Sequence, residues 1–259
     1  FDPDVLDLFD QYVHGAIDRR GFLTRAGRIA GAAGAAGILA ALTPQFASAQ
    51  QIAPDDSRLR AGYSEFDSPD GNGRGRGYLV RPAGATGPLP LVLVVHENRG
   101  LNPHIEDVAR RIALEGYIAF APDALFPKGG YPGEEDAARA LFATLDQDKA
   151  RADFVAAAAF LRTVDGGNGR LGVVGFCYGG GMANWLATRL PDLKAAVPFY
   201  GPAAPLGDVP KITAELLVVL ASNDARVNAG WPDYEAALKA AGKTYTLFQP
   251  ADTEHGFHN

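Results

Sequence analysis

The chain has 259 residues, of which 47% are hydrophobic and 21% charged, with a formal net charge of -6. That composition is that of an ordinary globular protein, and it leaves no basic surface on which a nucleic acid could be held. The single cysteine, Cys177, excludes an internal disulfide.

The first 49 residues read as a separate segment. Val5, Leu8, Phe9, Tyr12, Val13 and Ile17 recur at helical spacing. Asp18-Arg19-Arg20-Gly21-Phe22-Leu23 then resembles a twin-arginine signal, and an Ala/Gly-rich apolar run from Ile29 to Leu42 follows it. Phe46-Ala47-Ser48-Ala49-Gln50 offers an A-x-A cleavage site. The run is too short to predict a membrane span. The expectation is export to the periplasm or beyond, with no stable membrane insertion once the signal is removed. The alternative is an amphipathic helix with a flexible linker on a cytoplasmic protein.

Residues 50–57 are expected to be a linker and 58–259 one catalytic domain. Tyr63 to Phe66 and Tyr78 to Arg81 read as antiparallel edge strands around a glycine-rich turn. From Leu91 onward, short apolar runs alternate with helical patterns. Strands are expected at Leu91–Val95, Tyr117–Phe120, Leu171–Phe176, Ala195–Phe199, Glu215–Ala221 and Thr244–Phe248. Helices are expected at Ile105–Glu115, Glu134–Leu145, Asp148–Leu161 and Gly180–Leu190. The alternation predicts an α/β fold whose mainly parallel twisted sheet is covered by helices on both faces.

Within that frame, Gly175-Phe176-Cys177-Tyr178-Gly179 joins a strand to a helix as a nucleophile elbow carrying a thiol. Glycines flank the nucleophile because a strand turning straight into a helix leaves no room for a Cβ. Asp224 and His255 follow at the ends of the next strands, giving the order nucleophile, acid, histidine of an α/β-hydrolase. In such a site His255 takes the thiol proton and Asp224 holds its tautomer. Taken alone, Asp224 reads as a loop aspartate capping the next helix and His255 as an exposed terminal histidine; together, in that order at consecutive strand ends, they read as acid and base. Leu91 to Gly100 is a buried strand entering a polar loop, where Asn98 would supply one oxyanion-hole N–H and Tyr178 the other. Glu97 directly follows the strand and is expected close to the sulfur. His96 is expected to bond backbone, and the five histidines fit no metal-ligand spacing, so neither metal nor cofactor is implied.

Val95-His96-Glu97-Asn98-Arg99-Gly100-Leu101, Ala121-Pro122-Asp123-Ala124-Leu125, Gly175 to Gly180, Pro198-Phe199-Tyr200-Gly201 and His255-Gly256-Phe257 together resemble the dienelactone hydrolases, or carboxymethylenebutenolidases. The resemblance implies a hydrolase of small-molecule esters or lactones; a monomer is expected. It implies Cys177, Asp224 and His255 as the triad, and Glu97 as a carboxylate that helps generate thiolate when substrate binds. Tyr200 would lie near the pocket or serve as a core tyrosine. The arginines with which that family holds a substrate carboxylate lack counterparts: the position four residues past His255 is Asn259, and Arg139 is out of register. Arg99 or Arg226 could replace them, or could be solvated loop residues. The family continues into a last helix, so the chain is expected to be truncated, leaving part of the sheet uncovered and the His255 loop loosely held. An acyltransferase using the same thiol and a non-catalytic periplasmic binding protein on the same scaffold are the alternatives.

Overall fold

A computed structural model describes residues 2–13, 17–42 and 50–258. The chain divides into two units, residues 1–49 and 50–258.

In the first unit, α1 (Pro3–Val13), α2 (Arg19–Ala30) and α3 (Ala32–Leu42) bury Val5, Tyr12, Phe22, Ala26, Ala35 and Leu39 together. Asp18 caps α2, accepting a 2.7 Å hydrogen bond from the Gly21 N–H, so Arg19 and Arg20 form its exposed first turn. The apolar run is helical, interrupted at Gly31, whose φ of 75° an L-residue would resist. Among the described residues no helix is long and apolar enough to cross a membrane. The proposed cleavage site falls mostly in residues 43–49, outside the described residues.

The second unit is built on one sheet of eight strands: β1 (Leu59–Ser68), β2 (Gly73–Pro82), β3 (Leu89–Val95), β4 (Ile118–Pro122), β5 (Gly167–Phe176), β6 (Ala195–Phe199), β7 (Glu215–Val219) and β8 (Tyr245–Phe248). Their spatial order is β1-β2-β4-β3-β5-β6-β7-β8. β1 and β2 are antiparallel to their neighbours, as the glycine turn predicted, and β4 through β8 run parallel. The near-continuous apolar character of β3 and β4 follows from burial on both faces. On one face α4 (Pro103–Leu114) presses Ile105, Val108, Ala109 and Ala113 onto Val80, Val94 and Ala119. On the other, α5 (Glu135–Phe142), α6 (Gln147–Arg162), α7 (Tyr178–Ala187) and, farther along, α9 (Trp231–Ala240) enclose the larger core around Leu91, Leu93, Phe120 and Val173. This is the α/β-hydrolase fold.

Several expectations are corrected. β5 starts at Gly167, four residues before the expected Leu171, and Gly167 pairs with Leu89 across a register irregularity. α7 starts at Tyr178 rather than Gly180, so Cys177 is itself the residue that enters the helix. The short α8 (Ala225–Asn228) and α9 were not anticipated. Within the expected linker, the Gln51 and Ile52 N–H groups donate to the buried Asp107 carboxylate at 3.1 and 2.8 Å. Leu217, Leu247 and Phe248 leave an apolar strip of β7 and β8 exposed.

Candidate active site

β5 delivers Cys177 into the turn with φ 53° and ψ -110°, a conformation that costs a residue bearing a Cβ about 1–3 kcal/mol. The surrounding glycines make that turn possible. A Cβ on Gly175 would sit 2.0 Å from the Gly179 carbonyl oxygen, and one on Gly179 would sit 2.2 Å from that of Val95. The Cys177 N–H is tied to the Phe199 carbonyl at 3.0 Å, and its own carbonyl accepts the Gly181 N–H. Tyr178 is the first residue of α7, so its N–H has no acceptor within the helix and forms part of the positive end of the helix dipole.

The acid and base come from two loops that are stitched together. Asn223 N–H donates to the Thr253 carbonyl at 2.9 Å, Ser222 N–H to Thr253 Oγ1 at 3.0 Å, and Thr253 N–H back to Ser222 Oγ at 3.0 Å. Asn223 Nδ2 adds a 2.8 Å bond to Glu254. The loop expected to be loosely held is therefore anchored, and it sets His255 Nδ1 2.5 Å from Asp224 Oδ2. Asp224 also caps α8 by accepting the Val227 N–H at 3.1 Å, so the expected helix cap is present and the same carboxylate contacts the imidazole. The other side of the imidazole hydrogen-bonds the Cys177 side chain.

The electrostatics follow from burial. For His255, burial disfavours the imidazolium, but the hydrogen bonds to Asp224 and Cys177 and the charges of both outweigh it, raising its pKa to about 10. For Asp224, burial pushes the carboxyl up, and the His255 hydrogen bond and charge more than offset this, holding it below the usual carboxylate range.

A second charged group lies beside the first. Glu97 and Arg99 are 4% and 5% exposed, so the solvated reading of Arg99 is wrong. Arg99 Nη1 lies 2.5 Å from Glu97 Oε2, and its Nε lies 2.6 Å from Oε2 of Glu135 on α5. Burial works against the Arg99 cation, but Glu97, Glu135 and Cys177 restore and exceed what it loses. Glu135 also accepts from the Tyr131 hydroxyl at 2.8 Å and from the Asn102 side chain. Burial nevertheless leaves its carboxyl above the ordinary range. The sequence reading missed Glu135, whose only local signature is an acidic first turn of a helix.

Tyr200 is fully buried with φ 35°, its ring 4.8 Å from that of His255. Its hydroxyl has no hydrogen-bond partner among the described residues, and burial, together with Glu97 and Cys177, raises its pKa well above normal. Asn98 is half-buried at the mouth of the β3 loop. Arg226 is exposed in α8, where its charge reaches Asp224. Arg139 pairs with Asp136 along α5. His96 bonds backbone as expected: Nδ1 lies 2.6 Å from the Glu97 carbonyl and Nε2 accepts the Ala124 N–H at 3.0 Å. That pairing fixes the neutral Nδ1–H tautomer, and burial lowers its pKa. A cavity of about 500 Å³ borders Tyr178, Met182, Trp185 and Pro202, but Cys177 is not on its wall.

Comparison with known proteins gives this geometry a context. A model of the dienelactone hydrolase family matches residues 76–259, and a model described as YqhI-like matches residues 1–31. An Escherichia coli K12 protein named "Putative carboxymethylenebutenolidase" is 32% identical over 219 residues, 79% of this chain and 80% of that protein. The "Putative hydrolase fragment YghX" of the same organism is 54% identical over 105 residues, 40% of this chain and 90% of the fragment. Among solved structures, a dienelactone hydrolase-like promiscuous phosphotriesterase from metagenomic libraries superposes with a TM-score of 0.69 at 26% identity, covering 78% of this chain and 86% of that one. With the family model spanning most of the chain and a relative aligned along four-fifths of its own length, the chain belongs to the dienelactone hydrolase family.

Proposed function

We propose that this dienelactone hydrolase-like enzyme cleaves small carboxylic esters or lactones through Cys177, His255 and Asp224, with an acyl thioester on Cys177 as intermediate. One observation carries the reading: the imidazole of His255 is bonded at once to the Asp224 carboxylate and to the Cys177 side chain. Its raised pKa favours a proton on the ring and a thiolate on the sulfur, which is the nucleophilic form. The thiolate adds to the acyl carbon, and the carbonyl electron pair moves to oxygen, within reach of the Asn98 and Tyr178 N–H groups. Collapse expels the alkoxide, which takes the His255 proton and leaves the thioester. Water then gives a proton to His255 as it attacks the thioester. The second collapse releases the carboxylic acid and restores thiolate and imidazolium.

The test is direct detection of the intermediate. Mixing the protein with a p-nitrophenyl ester and quenching in acid should give an intact mass increased by one acyl group, mapped to Cys177 and discharged by neutral hydroxylamine. An adduct on any other residue, or none during demonstrable turnover, would contradict the reading.

Tyr200 adds a second expectation. A buried hydroxyl with no partner among the described residues is available to a ligand. Tyr200→Phe should lower kcat/KM for esters about tenfold, the equivalent of one neutral hydrogen bond, while stability is unchanged or rises by up to about 1–3 kcal/mol. Urea unfolding and steady-state kinetics on the same preparation separate the two effects. A destabilised variant with unchanged kcat/KM would make Tyr200 a core residue only.

A further inference from the structure

We propose that Glu135, by sharing Arg99 with Glu97, makes the site around Cys177 select uncharged or cationic acyl groups over acyl groups that carry a carboxylate. The inference rests on the thiol-hydrolase reading above and names the substrate class of that same site.

Arg99 is a buried cation whose charge, besides that of His255, reaches Cys177. A guanidinium in such a place would ordinarily attract an anionic substrate, since it can hold a carboxylate through two parallel N–H bonds. Here two of its faces are taken by protein carboxylates, Glu97 at Nη1 and Glu135 at Nε. Two negative charges on one positive charge leave this cluster with an excess negative charge. An incoming carboxylate must either approach that excess or expel one of the two glutamates.

Expelling Glu135 is opposed by everything that holds it. Its carboxylate accepts the Tyr131 hydroxyl and the Asn102 side chain and is ion-paired with Arg99, and it stands in the first turn of α5, where the helix dipole favours a negative charge. Asn102 is itself fixed, because its Oδ1 caps α4 by accepting the Ile105 N–H at 3.1 Å. Moving Glu135 would also disturb α5, whose Phe142 packs edge-on against Tyr178 at 4.7 Å. A displaced glutamate would be left in a poorly solvated site without its cation, which is the unfavourable state of a broken buried ion pair. Other arginines nearby do not replace Arg99. Arg139 is matched by Asp136 along its own helix, and Arg226 is exposed, where solvent screens it. A neutral acyl chain meets none of these penalties, and a cationic one gains from the excess negative charge.

The test compares three p-nitrophenyl esters of equal chain length: hexanoate, the monoester of hexanedioate, and 6-(trimethylammonio)hexanoate. Each kcat/KM is divided by the ester's uncatalysed hydrolysis rate. The wild-type protein should process the hexanedioate ester at least tenfold less efficiently than the hexanoate ester, and the cationic ester no less efficiently than hexanoate. In Glu135→Gln the hexanedioate-to-hexanoate ratio should rise tenfold or more, whatever happens to the absolute rates. A role for Glu135 in merely holding α5 would lower both activities together and leave the ratio where it was, and that result would overturn the proposal. Equal wild-type efficiency on hexanoate and hexanedioate would overturn it as well, without recourse to any variant. If none of the esters is turned over in a Cys177-dependent way, it is the underlying hydrolase reading that fails.

Discussion

Replacing Cys177 with alanine is expected to lower kcat for aryl esters by about 10⁵- to 10⁶-fold, the scale on which loss of a nucleophile collapses a triad hydrolase. The size follows from what the variant retains. The N–H groups of Asn98 and Tyr178 belong to the backbone and survive the change, so some oxyanion stabilisation should persist and the residual rate should stay above that in water. The acyl carbon, however, has no replacement nucleophile. Asp224 is engaged with His255 and the Val227 N–H, and Glu97 is held against Arg99. The comparison is steady-state turnover of purified wild type and Cys177→Ala, with urea midpoints recorded on both so that unfolding is not mistaken for lost chemistry. Equal rates in two folded proteins would remove the thiol from the reaction.

Asp224→Asn is expected to give the next largest effect, a drop of about 10⁴-fold in kcat, as when a triad carboxylate is replaced by its amide. An amide can present its N–H to Nδ1 and hold the ring in the wrong tautomer, and it supplies no charge to stabilise the imidazolium. A thermodynamic signature should accompany the kinetic one. His255 has a folded-state pKa of about 10, above its ordinary value of 6.5. A group whose pKa rises on folding stabilises the native state fully below the unfolded value and loses that contribution as pH climbs through the folded one. Wild-type stability should therefore fall between pH 6.5 and 10 through this group, and the fall should be much shallower in Asp224→Asn. Asp224 acts in the opposite sense, contributing above the normal carboxylate range and less as the solution is acidified. Denaturant unfolding across both windows reads the two contributions separately. A wild-type profile flat from pH 6.5 to 10 would show that His255 holds no extra proton in the folded protein.

The elbow, the order of the three side chains and the loop after β3 were all legible in the sequence because each imposes a local pattern. Gly175 and Gly179 sit where a Cβ would collide with backbone, so the spacing around Cys177 had to be written into adjacent residues. Asp224 and His255 were legible because they end consecutive apolar strands. Glu135 was not, and the reason is physical. An acidic residue in the first turn of a helix is expected on dipole grounds alone, so its local context is the same whether or not it reaches a buried arginine. Its partner Arg99 arrives from 36 residues earlier in the chain, through the packing of α5 over the β3 loop. The fate of Arg99 was hidden likewise: a charged residue in a loop looks solvated until a second carboxylate closes over it. α9 escaped notice because Trp231-Pro232-Asp233 opens it without a side-chain cap, and its burial depends on Tyr234 and Leu238 meeting the distant core.

The ties between Ser222, Asn223 and Thr253 bear on how the site can open. They make the segment that carries the carboxylate and the segment that carries the imidazole a single mechanical part. Any displacement that admits a bulky ligand shifts the two in concert, so the distance that varies is the one to the sulfur. A relaxed, gaping form would keep its histidine protonated and oriented by Asp224, while the thiol, deprived of its counterion, would revert to the unreactive SH form. Under the proposed mechanism, reactivity would thereby be confined to the closed arrangement.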